Sequence, residues 1–495
     1  MDTIYDVVII GGGLGGLECA TILSKHGYNV CVLEKNSKLG GTLQGFKRNG
    51  CEYSTGMHYI GSLDKGQITH KIFHYIGILD KIKVKRMDPN GFDVFNIAGK
   101  EYKYAMGQDA FKELLFSYFP NETDAITRYI QEIKLATDEV DLYKLKPVRE
   151  RISSSMTSGA YDRIKSITSN TELQNVLGAL NFVYAGEKNK TPFYTHSLIS
   201  MHYINSAYKL IGSSEQITNS LAEIILNAGG KIFTKEKVTE FINNNGQITG
   251  VKTEEGNTYF AKYFISNIHP TLTIEMIKNN LFSKPYRRRI SKLQNTISTF
   301  SLHLRLKENT FKYLNHNYHY YKQNDVWYPT YYSEKNWPEF YYLFVPAVSK
   351  SDEYVNCISI HTYMKFEEVE KWKDLPLRRR GEEYEAWKVL KAEKLISLVS
   401  EQFPELKGNI KGYNVSTPLS LRDYIGTPDG GIYGTIKDYN RPLASYVGPR
   451  TKIPNLFFTG QNVNLHGMLG VSLTSLLTCG EFIGLNRLID EINEA

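Results

Sequence analysis

The run Gly11-Gly12-Gly13-Leu14-Gly15-Gly16 is the part of this chain whose residue types and spacing speak most directly of chemistry. It satisfies Gly-x-Gly-x-x-Gly, the pattern of a turn that cradles a diphosphate. Gly11 allows the tight turn, and Gly13 lets the backbone approach the phosphates. Gly16 and Ala20 let a following helix lie close to a strand. The start of that helix then offers free N–H groups and partial positive charge to an anion. Glu34 stands further along, where a carboxylate can accept hydrogen bonds from both hydroxyls of an adenosine ribose and disfavours a 2′-phosphate. Lys35 and the doublet Gly40-Gly41, then Thr42, come next. The doublet gives a second close backbone approach to the same diphosphate, which an NAD domain does not need.

These residues require particular elements around them. Residues 6–10 (DVVII) form a continuous apolar, β-branched run, which predicts a central parallel strand. A helical pattern runs through Leu17, Ala20 and Leu23 and stops at Gly27. Residues 29–33 predict a second strand ending at Glu34, completing a βαβ unit. From about 71 to 194 the patterns predict helices, and 214–228 predicts another, ended by Gly229-Gly230. Strands are expected at 231–233, 247–253 and 263–265. Tyrosine, with 35 residues, is the commonest aromatic. Its clusters at 318–321 and 328–332 predict strands, read equally as the lining of an apolar channel or as plain strand packing. A charged helical region is expected over 367–403 and a strand over 456–458. The apolar stretch 467–485 contains Ser472, Thr474, Ser475, Thr478 and Glu481, which favours a buried helix over a membrane span.

A third glycine segment lies before that helix: Gly460-Gln461-Asn462-Val463, then His466-Gly467-Met468-Leu469-Gly470-Val471. With the opening loop, the Gly40-Gly41 doublet and Gly229-Gly230 leading to Val238, it resembles the FAD-binding signature of the amine oxidase and phytoene desaturase superfamily. The resemblance implies FAD. Its phosphates would lie at Gly11 to Gly16 and its ribose at Glu34 and Lys35. Val238 would touch the adenine, and the helix after Gly467 would point at the pyrimidine side of the flavin. A finer resemblance is to the phytoene dehydrogenase-like family, in its retinol saturase and carotenoid isomerase branch. It is carried by Thr42, by Glu52-Tyr53-Ser54-Thr55-Gly56-Met57-His58-Tyr59-Ile60-Gly61, and by Ser416-Thr417-Pro418-Leu419-Ser420 with Gly430-Gly431-Ile432-Tyr433-Gly434. Ser54 stands where that branch has an acidic residue, and Ile211-Gly212-Ser213-Ser214 lacks one glycine of the usual doublet.

The fold implied is α/β: a Rossmann-type FAD-binding domain, glutathione reductase-like, with an inserted α+β substrate domain. The cofactor domain would take 1–70, 200–285 and 410–495. A helical part (71–199) and an aromatic-rich part (286–409) would form the substrate domain. The activity implied is oxidoreduction at carbon–carbon double bonds of a lipophilic polyene or retinoid-like molecule. A conjugated polyene can be protonated to a delocalised cation and then trapped by hydride, so saturation, desaturation and isomerisation are all open. A proton donor must lie near the reacting bond. His58 is the candidate, with Glu52 and Asp423 behind it. A buried histidine bonded to backbone or flavin is the other reading of His58. Two alternatives are a flavin amine oxidase-like enzyme and a non-catalytic prenyl-protein escort of the same fold.

The 495 residues suit two domains, and the net charge of +7 is modest. Arg287-Arg288-Arg289 and Arg378-Arg379-Arg380 read as solvated faces or as a membrane-surface patch, with no nucleic-acid motif. No metal-ligand spacing is found among His202, His269 and His466. Cys19, Cys31, Cys51, Cys357 and Cys479 are scattered and read as reduced thiols. With no leader visible, a cytoplasmic protein, peripheral on a membrane, is expected.

Overall fold

The computed structural model describes residues 4–149, 154–278, 281–349 and 353–495. The opening strand, Ile4–Ile10, sits at the centre of a seven-stranded sheet. It runs parallel to Val30–Glu34 on one side and to Thr258–Ser266 on the other. Lys231–Thr234 extends the sheet beyond Val30–Glu34. Gln247–Thr253 and Val238–Asn244 extend the other side as an antiparallel hairpin, and Leu456–Phe458 also pairs with Thr258–Ser266. Val7, Val8 and Ile9 are wholly buried, as a strand covered on both faces requires. The helices Leu14–Lys25 and Gly467–Ile483 pack together, and Ser475 Oγ donates to the Gly15 carbonyl at 3.3 Å. No single helix among the described residues is long and apolar enough to cross a membrane.

A second seven-stranded sheet stands beside the first. Its order is Ile410–Ser416, Ser298–Leu306, Cys357–Met364, Phe340–Phe344, Asn317–Tyr321, Asp93–Ile97 and Lys100–Tyr104. Helices such as Gln108–Tyr118, Thr123–Asp138 and Phe193–Asn205 cover one of its faces, and tyrosines and phenylalanines from sheet and helices form one core.

Several expectations need correction. Val84–Arg86, Asp93–Ile97 and Lys100–Tyr104 are strands, not helices: the first pairs with Ala207–Leu210 in a small three-stranded sheet, and the other two form a hairpin at the edge of the second sheet. Ile410–Ser416 also joins that sheet, pairing antiparallel with Ser298–Leu306. Tyr328–Tyr331 is a 3₁₀ turn; Pro329 has no N–H for a ladder. Val238 opens a strand of its own. Cys51 and Cys357, far apart in sequence, form a disulfide where neighbouring strands meet, while Cys19, Cys31 and Cys479 are free and buried. The reading of all five as reduced thiols therefore fails. The two arginine runs are not simple solvated faces. Arg287 donates to the Ile274 and Ile277 carbonyls at 3.2 and 2.9 Å, and Arg380 is buried against Asp423.

Candidate functional site

The glycine loop follows from the strand that feeds it. Gly11 turns at φ +100°, and its N–H donates to the Leu33 carbonyl at 2.8 Å. A Cβ at Gly16 would lie 2.2 Å from the Gly11 oxygen, so only glycine lets this helix reach the strand. A Cβ at Gly15 would lie 3.0 Å from the Gly460 Cα. Gly13 caps the helix Leu14–Lys25, and no side-chain cap bond is made there. The first N–H groups of that helix face the cleft as an anion site. The Gly40 N–H donates to the Gly12 carbonyl at 2.7 Å, at a φ of +113°. The two glycine segments thus form one surface.

Glu34 ends its strand with a buried carboxylate that accepts from the Gly12 and Asn36 N–H groups, each at 2.8 Å. Burial pushes its pKa up, and those two bonds pull against the shift. A carboxylate has about four acceptor positions, so ribose hydroxyls can still be served. Gly11, Gly13, Glu34, Gly41, Val238 and Gly460 line one cleft of about 430 Å³, and Leu14, Gly15, Lys35, Gly40, Thr42, Gln461 and Val471 complete the predicted part of its wall. Gly16 does not face the cleft but lets the helix pack. Gly470 packs on Leu465, and Leu469 is in the core. Gly467 and Met468 line an adjoining chamber instead.

Asn267 is a residue that sequence reasoning missed. Its Nδ2 donates to the Gly11 carbonyl at 3.1 Å, and a Cβ on Gly460 would lie 2.3 Å from its Oδ1. It joins the first and last glycine segments. Its position just past the carboxyl end of the parallel strand Thr258–Ser266 was the available signal, since ligands of open α/β sheets bind there.

The adjoining chamber is about 130 Å³. His58, Tyr59, Phe182, Tyr203, Tyr342 and His361 line it, and Leu14, Thr42, Ile425, Gln461 and Val471 line both spaces. The second sheet supplies Tyr342 and His361 to its wall, and the start of the helix Gly467–Ile483 closes the side toward the cofactor domain. His58 packs against His361, Phe344 and Tyr342, with ring centres 4.5, 4.8 and 5.4 Å away. Its Nδ1 is buried without a protein partner among the described residues. Burial, with His361 and His303 adding to it, holds its pKa well below the usual value, so the ring is neutral at neutral pH. Neither rival proton donor reaches the chamber. Glu52 is exposed on its strand, and Asp423 is held by Arg380 and Arg422. Behind the wall, Tyr59 stacks on Tyr203 at 4.0 Å and donates to the buried Asp93 at 3.1 Å. Asn317 donates to the same carboxylate at 2.8 Å.

Glu18 lies within the opening helix, fully buried, and Ser472 donates to it at 2.6 Å. Burial raises its pKa from 4.5 to about 7. Ionisation therefore destabilises the fold: the protonated form is favoured, and stability falls as pH rises from about 4.5 through about 7. Glu18→Gln is expected to stabilise the protein by about 3 kcal/mol at pH 8 and to have little effect at pH 5. Thermal unfolding of parent and variant at both pH values checks this; a gain of equal size at both would refute it.

A family model, the NAD(P)-binding Rossmann-like domain, matches residues 9–76. The chain is 28% identical to all-trans-retinol 13,14-reductase of Danio rerio, over 97% of this chain and 86% of that protein. It is 26% identical to the chloroplastic prolycopene isomerase of Daucus carota, over 87% of this chain and 72% of that one. Among solved structures, putrescine oxidase bound to putrescine superposes with a TM-score of 0.66 at 14% identity, covering all of both chains. That likeness supports the fold alone.

Proposed function

We propose, from the premise that the chain belongs to the FAD-dependent carotenoid and retinoid oxidoreductase family, that it is an FAD enzyme changing carbon–carbon double bonds of a lipophilic polyene. The oxidoreductase class rests on the full-length similarity to retinol 13,14-reductase and, more distantly, to prolycopene isomerase. The observation that carries the chemistry is the chamber: buried, aromatic and histidine-lined, it shares five wall residues with the glycine cleft. That placement suits an apolar substrate held against the inner end of an extended cofactor.

The glycine cradle fits FAD. Gly13, with its extended backbone, and Gly41 would take the diphosphate, Glu34 the ribose and Val238 the adenine. A bound flavin supplies hydride exchange. The chain's own residues do the rest. Tyr59, Phe182, Tyr203 and Tyr342 exclude water and hold a flat conjugated chain. Neutral His58 lines the same space, and its buried Nδ1 has no protein partner among the described residues. When it takes a proton, the surrounding apolar wall makes it a strong acid, which protonation of a hydrocarbon chain demands. Asp93 fixes the Tyr59 hydroxyl away from solvent.

The test is direct. FAD-loaded protein, reduced anaerobically, is incubated with all-trans-retinol or a poly-cis carotene, and products are resolved by chromatography with mass detection. Gain of two hydrogens, or a changed double-bond geometry, is expected. Peroxide formed from amines, with no change in either polyene, would refute the reading. His58→Gln keeps hydrogen bonding but cannot ionise in this range. It is expected to lower turnover about 100-fold with the flavin spectrum unchanged. Unaltered turnover would remove His58 from the chemistry.

A further inference from the structure

A third cleft, of about 900 Å³, adjoins the two spaces described above. The strand Gly45–Arg48 forms one side, and the helix Glu382–Gln402 with the turn before it forms the other. Its wall is partly apolar, with Phe46, Val389, Val415, Leu421 and Ile425. Its charges are almost all of one sign. Lys38, Lys47, Arg48, Arg378, Arg380 and Lys388 line it, against Glu385. Lys38 is engaged by Glu215 at 2.7 Å, Lys388 by Glu385 at 2.8 Å and Arg380 by Asp423. Arg48 and Arg378 bond neutral oxygens instead: the Lys47 carbonyl at 2.8 Å and the Tyr424 hydroxyl at 3.3 Å. The Arg380 side chain is only 5% exposed, yet its Nε is buried without a protein partner among the described residues.

Thr55, Leu421 and Ile425 line both this cleft and the chamber at His58. The chamber, at about 130 Å³, is too small for a whole long-chain ligand. The basic cleft is the adjoining space for the rest of the molecule. We propose that the cleft takes a carboxylate at the end of a long apolar chain, so that among polyenes the protein prefers an acid over a neutral alcohol or hydrocarbon. Guanidinium groups match a carboxylate in two-point geometry, and the apolar wall accepts the chain leading from it. This rests on the polyene reading above, but its test measures binding and does not need turnover.

The FAD-loaded full chain is titrated at low salt with an eighteen-carbon conjugated tetraenoic acid, whose fluorescence rises in an apolar site, and with the corresponding alcohol. The acid is expected to bind at least about tenfold more tightly than the alcohol. Arg48→Gln with Arg378→Gln is expected to erase that preference, with unchanged flavin absorbance and thermal midpoint. Should the pair not fold, Arg378→Gln alone, at an exposed position, reads the same ratio. Equal affinity for acid and alcohol, no binding of either, or a preference that survives the substitutions would overturn the inference. So would displacement of the acid by NADPH at matching concentration, which would give the cations to a soluble reductant. Acid preference with no turnover of any polyene would sink the enzymatic reading and leave this site standing. Turnover without preference would do the reverse.

Discussion

Gly13→Val is expected to lower FAD affinity at least about 100-fold, or about 3 kcal/mol, while the apoprotein keeps its fold. The reason is local. Gly13 sits at φ −77°, ψ 176°, extended backbone that valine adopts without strain. A Cβ there meets Asn267 Nδ2 at 3.1 Å, a side-chain contact that a small shift relieves. The added methyl groups instead enter the space where the phosphates must approach the helix amides. Gly16→Val is the contrasting case. Its Cβ would collide with the Gly11 carbonyl at 2.2 Å, backbone that cannot give, so soluble protein should be lost altogether. Flavin absorbance after reconstitution, with circular dichroism of the apoprotein, separates the two. Gly13→Val protein that loads FAD like the parent would show that the diphosphate lies elsewhere.

Acid should unfold the protein well before its carboxylates are titrated. His196, His202, His361 and His466 are buried, and burial lowers the pKa of each from 6.5 to about 3. Between those values the unfolded chain binds more protons than the folded one. Stability is therefore full above pH 6.5 and is lost as pH falls towards 3. By pH 5 each histidine costs about 2 kcal/mol, and four together approach the whole stability of an ordinary domain. Glu18 moves in the opposite direction over about the same range and offsets roughly one of them. Trp327, Trp337 and Trp372, buried in the core beside the second sheet, report the change. Their emission is expected to shift to the red between about pH 6 and 5. A transition confined to below pH 4 would mean that these rings are protonated in the fold or reached by water.

The stability effect and the chemistry share one cause. A chamber built from aromatic and imidazole rings excludes water, which holds His58 neutral and also suits an apolar chain. The same wall that suits the proposed substrate makes the protein sensitive to acid.

Much of the cofactor half could be read before any coordinates. Strand, glycine loop and helix are consecutive, and each has a local reason: β-branched residues buried on both faces, glycines at forced approaches, and a helix of period 3.6. The doublet at Gly40-Gly41 and the segment from Gly460 are equally local. They fell where the sheet needs them, because parallel strands put their carboxyl ends at one edge. His58 was legible as a chamber residue only through its neighbours in a motif, and its neutrality was not. That comes from His361, Phe344 and Tyr342, brought in by strands far along the chain.

What tertiary structure alone decided has a common physical origin. Asn267 binds Gly11 and meets Gly460 across a sheet, the Cys51–Cys357 bridge joins strands 306 residues apart, and Asp93 is buried beneath Tyr59. In the hairpin at 93–104 the first strand is wholly buried while Lys100, Glu101 and Lys103 charge the second, because Lys100–Tyr104 is the rim of a sheet whose core lies elsewhere in sequence. The basic runs were visible as charge, but only packing divided them into helix-end bonds at Arg287 and a cleft wall at Arg378 and Arg380. Periodicity and glycine geometry are properties of neighbouring residues, so the sequence by itself determined the cofactor loop. Burial, desolvation and charge pairing are properties of residues that meet only after folding, so the chamber and the basic cleft waited for the fold.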